Sequence, residues 1–246
     1  MSLVKTECLL LKSTPFKDTS SIVRLFTKSH GKIAVIAKGA RRMKNQFRGY
    51  LEPLNHLEVI YYYKSTRDIQ ILSNVELICN FLKGPTDLPT IIYTTAIIES
   101  IDKFLHEHEK NPEIFGLAIA VLKKIDQKKI SPEIGLVYFL LKMTGILGYK
   151  INFSRCSRCH HNLSSAYYNY HDVQLICDHC CHKNDPYMNK KSLDFLKYLD
   201  NMKNIGESTL SPVEESTGLI YFLTTYLGFH LDISSRFKSL EMLSAV

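Results

Sequence analysis

Long apolar runs are missing from this 246-residue chain. The most hydrophobic stretch, Leu136 to Leu147, is interrupted by Lys142, so no segment reaches the roughly 18 apolar residues of a membrane-spanning helix. No signal peptide is evident at the start, and a cytoplasmic, reducing compartment is the expectation. Catalytic signatures are missing too. There is no Gly-x-x-x-x-Gly-Lys-Ser/Thr phosphate loop, no Gly-x-Ser-x-Gly elbow and no His-Glu-x-x-His pair. Nor do Asp and Glu cluster as a magnesium-dependent nuclease would require. The chain therefore reads as a non-enzyme.

Acidic residues are scarce in one region in particular. Residues 1–80 contain thirteen Lys or Arg against six Asp or Glu, while residues 81–246 contain eighteen of each, so the whole net charge of +7 arises in the first third. A local basic excess is the electrostatic footprint of a phosphate-binding surface. Within it, residues 38–50 carry Lys38, Arg41, Arg42, Lys44 and Arg48 with no acid at all. Gly39 and Gly49 stand near the two ends, where the backbone must turn. Guanidinium forks grip phosphate and Lys adds point charge, and Phe47 and Tyr50 are candidate platforms for unpaired bases. Lys64 and Arg67 would extend the same nucleic-acid-binding set.

What the chain does have is a metal-site spacing. Cys156 and Cys159, then Cys177 and Cys180, form two Cys-x2-Cys pairs separated by seventeen residues. Two intervening residues let a tight turn aim both sulfurs at one ion, and four thiolates close a tetrahedral zinc sphere with no open position for substrate. The expected role is structural zinc. Disulfides or redox thiols are the competing readings. His160, His161, His179, His182 and Cys181 crowd the pairs and leave open the replacement of one ligand.

Residues 1–80 read as five strands: 3–12, 20–28, 32–38, 51–64 and 68–77, with Ser13-Thr14-Pro15 and Lys17-Asp18 as breakers after the first. Apolar residues on both faces of 32–38 suit a small barrel packed on another domain. Five strands with a long central loop suit a Greek-key barrel of the OB type. From residue 81 onward the pattern is helical. Helices are expected over 87–107, 112–127, 132–147, 189–203 and 212–229, with a short one near the C-terminus. Asn111-Pro112, Ser131-Pro132 and Ser211-Pro212 supply cap-then-proline starts, and Ser211 with Glu214 a capping box. Tyr138, Phe139, Tyr221, Phe222, Tyr226 and Phe229 are expected in the core. The fold class is thus multidomain α+β. It comprises an OB-fold barrel over 1–80 and a helical domain over 81–246, with a four-cysteine zinc hairpin inserted at about 151–183, its strands at 166–170 and 173–176.

Motifs strung along the chain resemble a known family. Val4-Lys5-Thr6-Glu7, Leu11-Lys12-Ser13-Thr14-Pro15-Phe16, His30-Gly31-Lys32 and Ala37-Lys38-Gly39-Ala40-Arg41-Arg42 are similar to the N-terminal domain of the RecO family of bacterial recombination mediators. Leu51-Glu52-Pro53, Leu147-Gly148-Tyr149, Arg155-Cys156-Ser157-Arg158-Cys159, Leu175-Ile176-Cys177 and Tyr226-Leu227-Gly228 continue the likeness over essentially the whole length. The resemblance implies binding of single- and double-stranded DNA and annealing of complementary strands in DNA repair. It also implies loading of RecA, indirectly, together with RecR and single-strand-binding protein, at the nucleoid and without a membrane. An RNA-binding OB and zinc-ribbon protein of the translation or transcription apparatus is the alternative, and an adaptor without nucleic-acid affinity is a third class.

Overall fold

The computed structural model of the protein describes residues 2–82, 86–169, 172–206 and 216–245. Five strands come first: β1 (Ser2–Phe16), β2 (Ser20–Thr27), β3 (Gly31–Ala37), β4 (Asn55–Tyr63) and β5 (Ile69–Asn80). They close a barrel in the order β1-β2-β3-β5-β4, with β1 returning to pair with β4 and β3 lying parallel to β5. That is the OB-type barrel the sequence pattern called for. Its interior is filled by alternating residues such as Cys8, Leu10, Val23, Leu25, Val35, Val59 and Tyr61.

β1, β4 and β5 differ in extent from expectation, β5 running on to Asn80 instead of ending at 77. Ser13-Thr14-Pro15 does not break β1, because Thr14 and Pro15 stay in register with Ile22 and Ser21 of β2, and a bulge between Leu10 and Lys12 absorbs the curvature. Proline near a strand end loses little, its fixed φ being compatible with extended backbone. The turn is made instead at Lys17, which has φ 51. Residues 51–54 form turns, not strand: Leu54 is buried with φ 68 and donates its N–H to the Leu10 carbonyl at 3.0 Å, so β4 begins only at Asn55.

The helical part has α1 (Leu88–Phe104), α2 (Pro112–Asp126), α3 (Pro132–Ile146), α4 (Lys190–Asn201), α5 (Ser216–Leu231) and the short α6 (Lys238–Glu241). Asn111 and Ser131 cap α2 and α3 as expected, their side-chain oxygens accepting from Ile114 N at 3.0 Å and Ile134 N at 3.3 Å. The Ser211 to Glu214 capping box lies outside the described residues. Tyr138, Phe139, Phe222 and Tyr226 are buried, but Tyr221 and Phe229 are 54% and 47% exposed. The reason is geometric: both lie on the side of α5 turned away from the bundle, and apolarity all round a helix does not say which stripe is covered. No described helix is long and apolar enough to cross a membrane.

Between α3 and α4 the chain folds β6 (Ala166–Tyr168), β7 (Leu175–Ile176) and β8 (Tyr187–Met188) into a three-stranded sheet of order β7-β6-β8. The two expected hairpin strands are thus shorter than 166–170 and 173–176, and a third flanks them. This sheet shares the helical core, for example through Tyr168 against Phe222 at 5.0 Å between ring centroids.

Barrel and helices are locked together. Leu9, Leu11, Phe26, Leu54 and Phe81 project from the barrel into the helical core, which explains the apolar run Leu9-Leu10-Leu11: alternate residues serve two cores. Beside them Arg24 bonds Asp102 at 3.1 Å and pairs with Glu107, while Lys32 donates to the Asp102 carbonyl at 2.5 Å. Lys32 is nearly buried, and that burial depresses its pKa against the pull of Asp102 and Glu107. Gly31, with φ +63, is required here, since a Cβ would stand 2.0 Å from the Glu109 carbonyl oxygen.

Candidate nucleic-acid interface and metal centre

The loop from β3 to β4 is tied down along its length. Arg41 N donates to the Thr19 carbonyl at 2.9 Å and Arg41 Nη1 to the Lys17 carbonyl at 3.2 Å. Asn45 bridges its own turn, donating to the Arg42 carbonyl at 2.5 Å and accepting from Phe47 N at 2.8 Å. Gln46 Nε2 reaches the Ser73 carbonyl on β5 at 2.9 Å. Apart from the one Arg41 bond, neutral side chains and backbone do this holding, which leaves the cationic heads available.

Lys38, Arg41, Arg42, Lys44 and Arg48 are all exposed, and none forms an ion pair among the described residues. Such a cluster carries uncompensated repulsion that a polyanion relieves. Lys64 and Arg67 lie in the β4–β5 turn, where the fully buried Gln70 accepts from Lys64 N at 2.9 Å and donates to the Lys64 and Arg67 carbonyls at 3.2 and 2.5 Å. Lys64 is exposed and Arg67 half-buried.

Phe47 is placed differently from the reading that made it a base platform. It is 5% exposed and belongs to the barrel core, with Tyr50 half-buried against that core. A ring filling the barrel cannot also lie against a base; Phe47 instead anchors the loop. Lys17 carries no signal in the sequence beyond its place in a breaker. The structure sets it, exposed, beside Arg41. Its only sequence signal was its position in the β1–β2 turn, and no linear pattern connects it to residue 41.

The second site is in the inserted sheet. The sulfurs of Cys156, Cys159, Cys177 and Cys180 all lie within 4.8 Å of one another, with Cys159 and Cys177 3.5 Å apart. A tetrahedron with zinc–sulfur bonds of about 2.3 Å places its sulfurs about 3.8 Å apart, so the four fit one ion. Each pair sits in a tight turn: His160 N donates to the Cys156 carbonyl at 3.0 Å and Cys180 N to the Cys177 carbonyl at 3.1 Å. Burial pushes the Cys156 thiol up, but the backbone around Cys159, Cys177 and Arg158 outweighs it and lowers its pKa to about 6, which favours the thiolate a metal needs. The Cys180 thiol is pushed up to about 12, first by its side-chain hydrogen bond with Cys159 and then by desolvation. His161 Nδ1 stands 3.3 Å from Cys159 Sγ, outside the four-sulfur set. Cys181 turns away to the Asp178 carbonyl at 3.1 Å, and Arg158 clasps the second turn through the Cys180 carbonyl at 2.9 Å. These residues can hold a metal ion.

The chain thus joins an OB-type barrel carrying a pinned loop of exposed cations to a helical part with an inserted sheet whose four cysteines could hold a metal ion. Its relatives agree with that architecture. Residues 1–81 match the family profile for the recombination protein O N terminal and residues 85–241 that for the recombination protein O C terminal. The chain belongs to the RecO family. It is 28% identical to the DNA repair protein RecO of Clostridium perfringens, covering 100% of this chain and 99% of that one. It is also 28% identical to the DNA repair protein RecO of Caldanaerobacter subterraneus, over 98% of both. Against the DNA repair protein RecO of Caldicellulosiruptor bescii identity is 30% over 75% of each. The family is thus one of DNA repair and recombination.

Proposed function

We propose that this chain is a non-enzymatic recombination mediator that binds single- and double-stranded DNA through the β3–β4 loop and anneals complementary strands. The observation that carries this reading is the set of five exposed cations, none with a carboxylate partner among the described residues, on a loop held mainly by other groups. Phosphate neutralisation supplies sequence-independent affinity and lowers the repulsion between two strands, so bases can meet while each strand is held transiently. Lys64, Arg67 and Lys17 extend the path. Bond-making chemistry is not needed.

In the same reading the four cysteines hold zinc structurally. When bound, the ion cross-links residues 156–180 and so fixes the small sheet against α5. The protein works in the cytoplasm at the nucleoid, with RecR, to load RecA on strands coated by single-strand-binding protein. The acidic, apolar-ended tail of that protein would suit the groove lined by Leu117, Val121, Tyr138 and Met202 and rimmed by Lys124 and Lys203. Binding of single-stranded DNA and RNA of one sequence, compared at two salt concentrations, tests the reading. Salt-sensitive binding to DNA supports it; a marked preference for RNA would favour a role in translation or transcription, and no binding to either would leave an adaptor.

A further inference from the structure

The four sulfurs of the metal centre are not equally sheltered. Cys156 and Cys177 are buried, and the Cys177 N–H donates to Cys156 Sγ at 3.4 Å, whereas Cys159 and Cys180 are half-buried. Solvent thus approaches the centre past the second cysteine of each pair. A thiolate on that side is the ligand most open to protonation, oxidation or exchange, since susceptibility follows exposure. Whatever stands against Cys159 or Cys180 therefore governs how firmly an ion is kept.

Among the described residues one side chain outside the four stands there with a metal-binding atom. His161 Nδ1 lies 3.3 Å from Cys159 Sγ, and the His161 backbone N–H bonds the same sulfur. Other side chains crowding the pairs are engaged elsewhere: His179 Nδ1 with Asp178 at 2.7 Å, His182 Nε2 with Arg158 at 3.3 Å and Cys181 with the Asp178 carbonyl at 3.1 Å. Local folding explains the placement. His160 makes the bend with φ 61, and the chain then returns alongside itself. Cys156 N donates to the His161 carbonyl at 2.8 Å, Leu163 N to the Ser154 carbonyl at 2.9 Å, and Arg155 bridges Asn162. The backbone of His161 is thereby clamped, and its ring faces the outward sulfur.

We propose that His161 is the reserve ligand of this centre: its ring donates from Nδ1 to the Cys159 thiolate while four sulfurs hold the ion, and takes the fourth position when that thiolate is lost. This rests on the reading of the four cysteines as a zinc site. In the exchange the bond from zinc to Cys159 Sγ breaks and a bond from zinc to Nδ1 forms. The Nδ1 proton passes to the departing sulfur, and the exposed ring stays neutral by taking a solvent proton on Nε2. Three cysteines and a histidine close a tetrahedron as four cysteines do, so the turn keeps its shape. Until then an outer donor of this kind draws charge from the sulfur and fixes its orientation. Cys180 has no histidine against its sulfur among the described residues, so the protection is one-sided.

Zinc content of purified full-length variants reads this out. Cys159→Ser should still carry about one zinc per chain, Cys180→Ser should carry none, and Cys159→Ser combined with His161→Ala should lose it as well. With cobalt in place of zinc, the thiolate-to-metal charge-transfer band of Cys159→Ser should drop by about a quarter, one thiolate in four being replaced by nitrogen. His161→Ala keeps all four cysteines; in competition with a chromophoric chelator its zinc affinity should be about tenfold weaker. His161→Asn, whose Nδ2 sits where Nδ1 does but is a poor zinc ligand, should recover that affinity, yet should not hold zinc when combined with Cys159→Ser. Loss of zinc from Cys159→Ser as complete as from Cys180→Ser overturns the proposal, as does retention when His161→Ala is added. Unchanged affinity of His161→Ala overturns it even where the serine variants do not fold. Wild-type protein without zinc would remove the zinc reading beneath it, a failure distinct from all of these.

Discussion

Arg24 and Lys32, on the barrel wall that faces the helices, lie against Asp102 and Glu107, and Lys5 and Lys28 are paired with Glu58 and Glu7. Lys38, Arg41, Arg42, Lys44 and Arg48, on the loop of the same barrel, have no such partner among the described residues. The same residue types thus do opposite things. Where the protein supplies the counter-charge, a cation cements one part to another; where it withholds it, the cation stays unpaired and exposed. Net charge cannot tell these apart, since both groups count equally toward the +7. Partner geometry can.

The inserted sheet could break this comparison, because Arg155 and Arg158 are exposed there and form no ion pair among the described residues. Purified protein should hold one zinc per chain. Cys156→Ser or Cys177→Ser should release it, with the largest loss of stability of any change considered, structural zinc being worth on the order of 10 kcal/mol. DNA affinity of the folded fraction should be unaffected. Metal analysis showing no zinc in protein prepared without chelator would end the zinc reading, and loss of DNA binding with the metal would make the sheet a second interface.

A smaller effect is expected where cations are paired. Asp102→Asn leaves Lys32 and Arg24 partly uncompensated and should cost about 2 kcal/mol, less than a fully buried pair because Arg24 and Asp102 remain 34% and 25% exposed. Chemical denaturation would show it, and DNA binding would not. If instead DNA binding dropped with stability intact, Arg24 and Lys32 would belong to the ligand surface and the distinction would fail.

Much of this organisation was legible in the sequence. Period-two patterning, the acid-free loop and the doubled Cys-x2-Cys each express a local physical rule, and each reappeared as barrel, loop and four-sulfur cluster. What escaped depended on tertiary neighbours. Phe47 looked like a platform because an aromatic beside cations has the same linear signature whether it faces water or the barrel interior. Tyr221 and Phe229 looked like core because α5 is apolar on most sides.

Acidification offers a gentler perturbation. His30, His56 and His230 all have pKa values lowered from 6.5, in each case first by burial; for His56 the attraction of Glu7 works against the shift. Above 6.5 these groups are neutral whether the chain is folded or unfolded. As pH falls below 6.5 the unfolded chain takes up protons first, so stability declines until the lower folded-state values are passed. Thermal midpoints measured from pH 7.5 downward should fall accordingly. DNA affinity of the folded protein should not follow them, because no histidine lies in residues 38–50.

The most direct test of the unpaired-cation account changes stability least. Replacing Arg41, Arg42 and Arg48 together with Ala touches no ion pair and should shift unfolding by no more than about 0.5 kcal/mol per site. Plotted as log affinity against log salt, single-strand binding by this variant should be weaker at low salt for every sequence tried. Its slope should be shallower by up to about 2–3, at roughly 0.7–0.9 for each phosphate no longer neutralised. Superimposable plots for variant and wild type would contradict the account and place the phosphate-binding surface elsewhere on the molecule.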